Sequence, residues 1–449
     1  MKLPQTPPPF EELFGKLTPR LMSILQAKAT VATPPERYLH WNELRFRPAP
    51  AGLKHGEWWL AEKLARQTGR RFLNLKDKRA KPFSYVVPEF VAELLHLIDR
   101  DGGTLLRLPE PVTNPEERDS YVIRSLMEEA ITSSQLEGAA VTREVAKKML
   151  AEGRRPRDRG EQMIVNNFVT MRRIIDLKNE PLTPDLVLSI HQQISEKTLD
   201  RPDAAGRFRR TDEPIEIADE YGTVFHTPPR ADELPERLEM MCEFANATAD
   251  QPFIHPVLRA IILHFWLAYD HPFVDGNGRT ARALFYWEML HRGYWLFEFV
   301  SISQFLRKAP VPYGEAFLHT ETDDNDLTYF IVHQAGIIRR SLEELHDYVA
   351  KKSRETRSAL KLLHGNAGLN HRQQVILTHA LRHPNHAYTV GEHQTLQGIA
   401  YGTARADLLG LAQRGLLDQR KRGKAFIFIA PTDLDKRLRP IGSEAHSPG

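Results

Sequence analysis

Between Ala260 and Tyr269 the chain reads Ala-Ile-Ile-Leu-His-Phe-Trp-Leu-Ala-Tyr, apolar on nearly every side of a helical wheel. A surface helix keeps a polar face, so this pattern predicts a helix sunk inside a larger bundle. Pro272 ends it, because a proline cannot donate to the helix ladder and pushes the preceding residue out of the α region. The loop Asp275-Gly276-Asn277-Gly278 follows, and a second helix is expected from near Gly278 to about His291, with Gly293 as its stop. Upstream, Arg124 to Gly138 reads as the end of a helix entered at Asn114-Pro115, an N-cap followed by a proline at the first helical position. Between these helices Asp212 to Arg230 breaks the pattern. Glu213 to Ile217 and Thr223 to His226 alternate around Tyr221-Gly222, which predicts a β-hairpin, and Pro228-Pro229 leads into a helix from Leu234. A lone hairpin is barely stable, so this one either packs on the helical core or offers an edge to a partner. The preceding Gly206-Arg207-Phe208-Arg209-Arg210 is a basic cluster, either a solvated face or a binding patch.

Toward the N-terminus, prolines at Pro7 to Pro9, Pro34-Pro35, Pro48 and Pro50 punctuate a segment expected to form a separate, mostly helical lobe over residues 1–112. Its Tyr38, Trp41, Phe46, Trp58 and Trp59 are interleaved with Arg37, Arg45 and Arg47. That mixture makes either a small aromatic core with snorkelling arginines or a stacking surface for nucleic acid. Residues 113–352 form the main domain, and the charged run from Lys351 to Arg357 suggests an exposed helix leading into a linker over 353–369. In 370–432 three helices are expected, at Asn370 to Leu381, Thr389 to His393 and Tyr401 to Leu409. A β-ribbon turned at Gly423-Lys424 and ending Ala425 to Ile429 follows them, then a flexible tail over 433–449. No internal repeat is visible.

A length of 449 residues leaves room for three domains, and a net charge of +3 spread over it points to neither nucleic acid nor membrane as a whole-molecule partner. Cys242 is the only cysteine, which excludes an internal disulfide and a multi-cysteine zinc site. The opening Met-Lys-Leu-Pro-Gln-Thr has no signal-peptide apolar block, and the longest apolar run is too short to cross a bilayer, so the cytoplasm is the default expectation, with no membrane partner. His371, His379, His383 and His386 have no cysteine or acidic partner at ligand spacing and are not read as a metal site.

The chemistry concentrates in His271-Pro272-Phe273-Val274-Asp275-Gly276-Asn277-Gly278-Arg279-Thr280-Ala281-Arg282. His271 offers a base that titrates near neutrality, and Asp275 a hard ligand for a cation. Gly276 and Gly278 let the backbone approach an anion closely, and the N-terminus of the next helix turns free amides and a positive dipole end toward it. Arg279 and Arg282, three apart, emerge on one helix face and suit successive phosphates. This is a phosphate-chemistry site.

The segment meets every fixed position of His-Pro-Phe-x-(Asp/Glu)-Gly-Asn-Gly-Arg-x-x-Arg and so resembles the signature of Fic proteins. The resemblance implies a mainly α-helical bundle that moves AMP from ATP, with Mg2+, to a Ser, Thr or Tyr hydroxyl of a target protein. On that reading His271 is the general base, Asp275 the Mg2+ ligand, and Gly276, Asn277 and Gly278 the anion hole. Arg279 and Arg282 would hold the β- and γ-phosphates, and Phe273 would be a packing anchor. Ser133-x-x-x-Glu137-Gly138 looks like the family's inhibitory motif, which implies that Glu137 pairs with Arg282 and denies it to the γ-phosphate, with Ser133 in support. The hairpin looks like the family's flap, which holds the target by strand pairing through Ile215, Ile217, Thr223, Val224 and Phe225.

The C-terminal pattern resembles a winged helix, often appended to Fic proteins. It presents Tyr401, Thr403 and Arg405 toward a groove, with Arg420, Lys421, Arg422 and Lys424 on the ribbon for phosphates. DNA binding and a dimer or other protein contact, a homodimer included, both remain open for it. Transfer of another nucleotide, or removal of AMP with Glu137 orienting a water, would use the same site. A DNA-binding regulator that merely senses nucleotide is the reading from another class, and an intact His271 and Asp275 argue against it.

Overall fold

Helices Pro256–Asp270 and Asn277–His291 lie at the centre, where the hydrophobic pattern puts them. Ala260 to Leu263, Phe265 and Trp266 expose nothing to solvent, and neither do Ala281, Ala283, Leu284 and Trp287. A helix apolar all round needs neighbours on every side. Pro256–Asp270 packs against Asn277–His291 and Leu234–Ala245, while Pro115–Leu136, Arg159–Leu177 and Pro184–Ser195 pack on Asn277–His291. Local signals start these helices: the Asp158 carboxylate accepts the Glu161 N–H, and the Thr183 hydroxyl accepts the Leu186 N–H with Pro184 at the first helical position. The computed structural model describes residues 2–29, 38–102, 115–247, 252–363, 368–383, 386–422 and 425–438. Asn114, Pro34, Pro35, Arg37, Gly423, Lys424 and the 439–449 part of the expected tail lie outside these residues.

The first hundred residues do not stand apart as a lobe. Described residues up to Gly102 and from Pro115 to Leu345 fall in one compact unit, and those from His346 onward in a second. The expected small aromatic core is present: Trp58 and Trp59 are buried against Leu39 and Leu44, and the Arg66 guanidinium lies 3.8 Å over the Tyr38 ring. What joins this segment to the bundle is an unpredicted hairpin, Arg71–Lys76 paired antiparallel with Pro82–Tyr85. Its Phe83 inserts beside Phe265 and Tyr269, with ring centroids 5.3 and 4.9 Å away. Lys63 and Asp323 add a buried ion pair at 2.7 Å, and the Leu327 N–H donates to Ser84 O. Prolines mark turns here, and a turn looks like a domain boundary when its long-range partners are unknown.

In the second unit, helices His371–Arg382, Val390–Gln397 and Tyr401–Gln413 precede the ribbon Asp418–Arg422 and Ala425–Ile429, close to the expected bounds. A two-residue strand, Ala387–Tyr388, pairs with the far edge of Ala425–Ile429 and makes the sheet three-stranded. Two residues carry no periodicity, so the sequence could not announce it. Leu377, Leu408, Leu411 and Phe428 form the core, and the buried Asp407 carboxylate accepts hydrogen bonds from Asn370, Arg372 and His393.

Candidate active site

Helix Pro256–Asp270 delivers His271 as its C-cap, with φ 44° and ψ 56°. A left-handed backbone costs a residue with a β-carbon on the order of 1–2 kcal/mol, and the following proline restricts it further. Its N–H is fixed to Leu267 O at 3.0 Å. Nδ1 lies 3.3 Å from Ala268 O, which assigns the ring proton to Nδ1 and leaves Nε2 as the lone-pair nitrogen. Burial holds this imidazole down to about 4, with His226 and Arg209 pushing the same way and Ala268 O and Glu137 pushing back. His271 is therefore neutral and able to accept a proton.

The loop after it is closed from within. The Asn277 amide donates to Phe273 O at 2.8 Å and its oxygen accepts the Phe273 N–H at 2.9 Å, so the side chain pins the loop from within. Gly276 has φ +85°, and a β-carbon there would also press on the His191 ring. The Asp275 carboxylate lies at the mouth, 3.2 Å from Arg159 and 3.5 Å from Arg279. Arg279 is wholly buried. Its Nη1 donates to Ile194 O, while its Nε has no acceptor among the described residues.

Arg282 meets the helix Pro115–Leu136. Its Nε donates to Ser133 Oγ at 2.8 Å, and its Nη2 to Ser133 O at 3.1 Å and to Glu137 Oε1 at 2.8 Å. A β-carbon on Gly278 would stand 2.1 Å from Glu137 Oε1, so the carboxylate lies directly over the anion loop. Gly138, at φ +92°, stops the helix just beyond, and the Ala139 N–H closes it on Ser134 O. The helix is itself fixed in the core through Glu129, 1% exposed, whose carboxylate accepts from Tyr286, Ser301 and both the N–H and hydroxyl of Ser303.

The hairpin forms as Ile217–Ala218 paired with Val224–His226, irregular in register and turned by Asp219, whose carboxylate accepts the Tyr221 and Thr223 N–H groups. Thr223 and Val224 are exposed, and Ile215, Ile217 and Phe225 are half-buried. Ile215 lies outside the paired strands. The basic cluster is not a free positive face: Arg207 pairs with Glu213 at 2.9 Å and Arg209 turns inward. Sequence reasoning missed His191, which stacks on Phe273 at 3.6 Å, accepts the Gly206 N–H at Nδ1 and donates from Nε2 to Asp275 O. A lone histidine on the apolar face of a helix looks like core, and only the tertiary contacts reveal its bridge.

Residues 181–289 match the model of the Fic/DOC family. Over these residues the chain is similar to the Fic/DOC family. Among its relatives, the protein adenylyltransferase Fic of Nematostella vectensis is 34% identical over 107 residues, 24% of this chain and 22% of that one. The protein of the same name from Culex quinquefasciatus is 33% identical over 118 residues, 26% of this chain and 21% of that one. The alignments thus span about a fifth of the length of these curated relatives. A Fic family protein from Desulfovibrio desulfuricans shares the fold, with a TM-score of 0.50 and 19% identity over 77% of this chain and 96% of that one. Among the described residues no helix is long and apolar enough to cross a membrane.

Proposed function

We propose that this protein is a protein adenylyltransferase of the Fic family that moves AMP from ATP to a Ser, Thr or Tyr hydroxyl of a target protein and is held back by Glu137. What supports the reading is the meeting on one loop of a neutral imidazole, the glycines at 276 and 278, and a fully buried Arg279 whose Nε lacks an acceptor among the described residues. Buried guanidinium N–H groups left without partners are costly, and phosphate oxygens would satisfy them. The hydroxyl oxygen attacks the α-phosphorus as His271 Nε2 takes its proton. The bond from the α-phosphorus to the oxygen bridging to the β-phosphate breaks and pyrophosphate leaves. Arg279 and the helix N-terminus stabilise its charge, joined by Arg282 once Glu137 lets go. Asp275 would hold Mg2+, since one hard carboxylate beside phosphate oxygens suits that ion, which when bound helps to neutralise the leaving group. Labelled ATP tests the reading directly. Label from the α-phosphate should stay on protein and label from the γ-phosphate should not, and retention of the γ label would make it a kinase instead.

The pH dependence follows from His271. The neutral ring is the active form and is lost only as pH falls through about 4, so the acid limb set by this base lies well below the roughly 6.5 of a free imidazole. Rates measured on Glu137→Gly should hold between about pH 7.5 and pH 5.5. A midpoint near 6.5 would show that the working imidazole is solvated.

For the second unit, charge favours duplex DNA as a partner. Residues 346–449 carry sixteen Lys and Arg against eight Asp and Glu, a net +8, which leaves −5 for the rest of the chain. Arg405 is exposed on helix Tyr401–Gln413, and Lys421 is exposed on the ribbon beside Arg420. The Arg422 side chain and Lys424 lie outside the described residues. Arg405→Ala should relax sequence preference, whereas Lys421→Ala should weaken binding to every duplex and flatten its salt dependence. Full-length protein that binds no duplex even at low salt would turn this unit into a protein-contact module.

A further inference from the structure

The basic cluster at residues 206–210 contains one arginine that behaves unlike its neighbours. Arg207 pairs with Glu213, and Arg210 lies 53% exposed beside Asp203, while Arg209 is 7% exposed and reaches into the back of the catalytic loop. Its Nε donates to His271 O at 3.0 Å, its Nη2 donates to Pro229 O, and its main-chain N–H donates to Pro272 O at 2.9 Å. We infer that Arg209 is a positioning residue that holds His271 in its left-handed conformation and ties that conformation to the root of the flap. The inference rests on the transferase reading given above.

His271 has a positive φ and stands before a proline, two features that each disfavour the backbone it adopts. Such a conformation persists only where the surroundings over-determine it. One residue bonds both carbonyls of this strained pair, that of His271 through the side chain and that of Pro272 through the backbone. The clamp is itself held. Gly206 sits at φ +75° with no room for a β-carbon against Gln192, its N–H is fixed to His191 Nδ1, and the Phe208 ring lies parallel to Phe273 at 6.5 Å.

The second carbonyl that the guanidinium reaches, Pro229 O, closes the flap just after strand Val224–His226. The strand's last residue, His226, reaches the same stretch, with Nε2 2.7 Å from Tyr269 O and Nδ1 2.8 Å from Glu321. The chain leaving the flap is thus tied at two points, at Pro229 to the turn that carries the base through the rigid planar fork of Arg209, and at His226 to the last turn of the preceding helix through its own ring. A lysine has a single ammonium on a flexible stem and cannot reproduce that fork. A target strand added to the flap would load this turn, so occupancy of the flap and the attitude of the imidazole are one mechanical unit.

Arg209→Lys tests the inference in a Glu137→Gly background, with incorporation of label from α-labelled ATP as the rate and calorimetric binding of Mg-ATP as the control. The rate should fall about tenfold to a hundredfold, the loss expected when a reacting group is misplaced by an ångström, while ATP binding stays within about twofold. Arg209→Gln should behave in the same way and serves if the lysine variant fails to fold. Arg210→Gln should leave the rate as it is. An undiminished rate for Arg209→Lys overturns the inference alone, and loss of ATP binding along with the rate overturns it by making Arg209 a general support of the fold. Absence of α label on Glu137→Gly itself sinks the transferase reading and this inference with it.

Discussion

Glu137→Gly should label protein, itself included, at least an order of magnitude faster than the unaltered chain. The reason is the contact of Glu137 Oε1 with Arg282 at 2.8 Å, where the arginine is 2% and the glutamate 25% exposed. An ion pair removed this far from water is not broken cheaply, because parting it leaves a buried charge without its partner. If a γ-phosphate needs the same guanidinium, the competent arrangement is a minor population and the observed rate falls by that fraction. A glycine at 137 abolishes the competitor and leaves Ser133 bonded to Arg282. Arg282→Ala should break the same pair without activating, since on the proposed reading it removes the phosphate ligand as well. Equal rates for the unaltered chain and Glu137→Gly, compared on one target, would reduce Ser133 to Gly138 to the end of a helix.

The second large effect is the loss of transfer in His271→Ala, by about two to four orders of magnitude. Nδ1 is held by Ala268 O, so Nε2 is the nitrogen that can accept the hydroxyl proton, and on the proposed reading no phosphate contact goes through it. Mg-ATP should therefore bind this variant about as tightly as before, which calorimetry can check. The β-carbon of alanine keeps the same backbone penalty as histidine, so the Arg209 bonds to the turn are not confounded by a newly relaxed loop. A variant that still labels at the original rate would remove the imidazole from the mechanism, and one that loses ATP binding would recast His271 as a nucleotide ligand.

The parts legible in the sequence are those whose physics is local. An apolar run, a proline and two glycines mark helix, stop, loop and next helix at Ala260 to His291, and the chemistry of the loop comes with them. Glu137 was legible only through resemblance to a motif, since a serine and a glutamate four apart suit any solvated helix. That Asn277 also braces the loop through Phe273 was not legible, because the bonds depend on how the loop folds back on itself. His191 and Arg209 were overlooked for another reason: their partners, Asp275, His271 and Pro229, lie 20 to 84 residues away along the chain. The separate N-terminal lobe failed in the same way, because nothing near Phe83 in sequence tells that it faces Phe265.

Glu129 ties the helix that carries Glu137 into the interior through Tyr286, Ser301 and Ser303. The carboxylate that pairs with Arg282 is therefore a tethered ligand, present at a fixed effective concentration that dilution cannot lower. On the proposed reading, competition between Glu137 and the γ-phosphate would be lopsided, one contestant bound to the site by its own chain and the other drawn from solution. Such a brake would be set within each single molecule, and the concentration of free nucleotide would be what pushes against it.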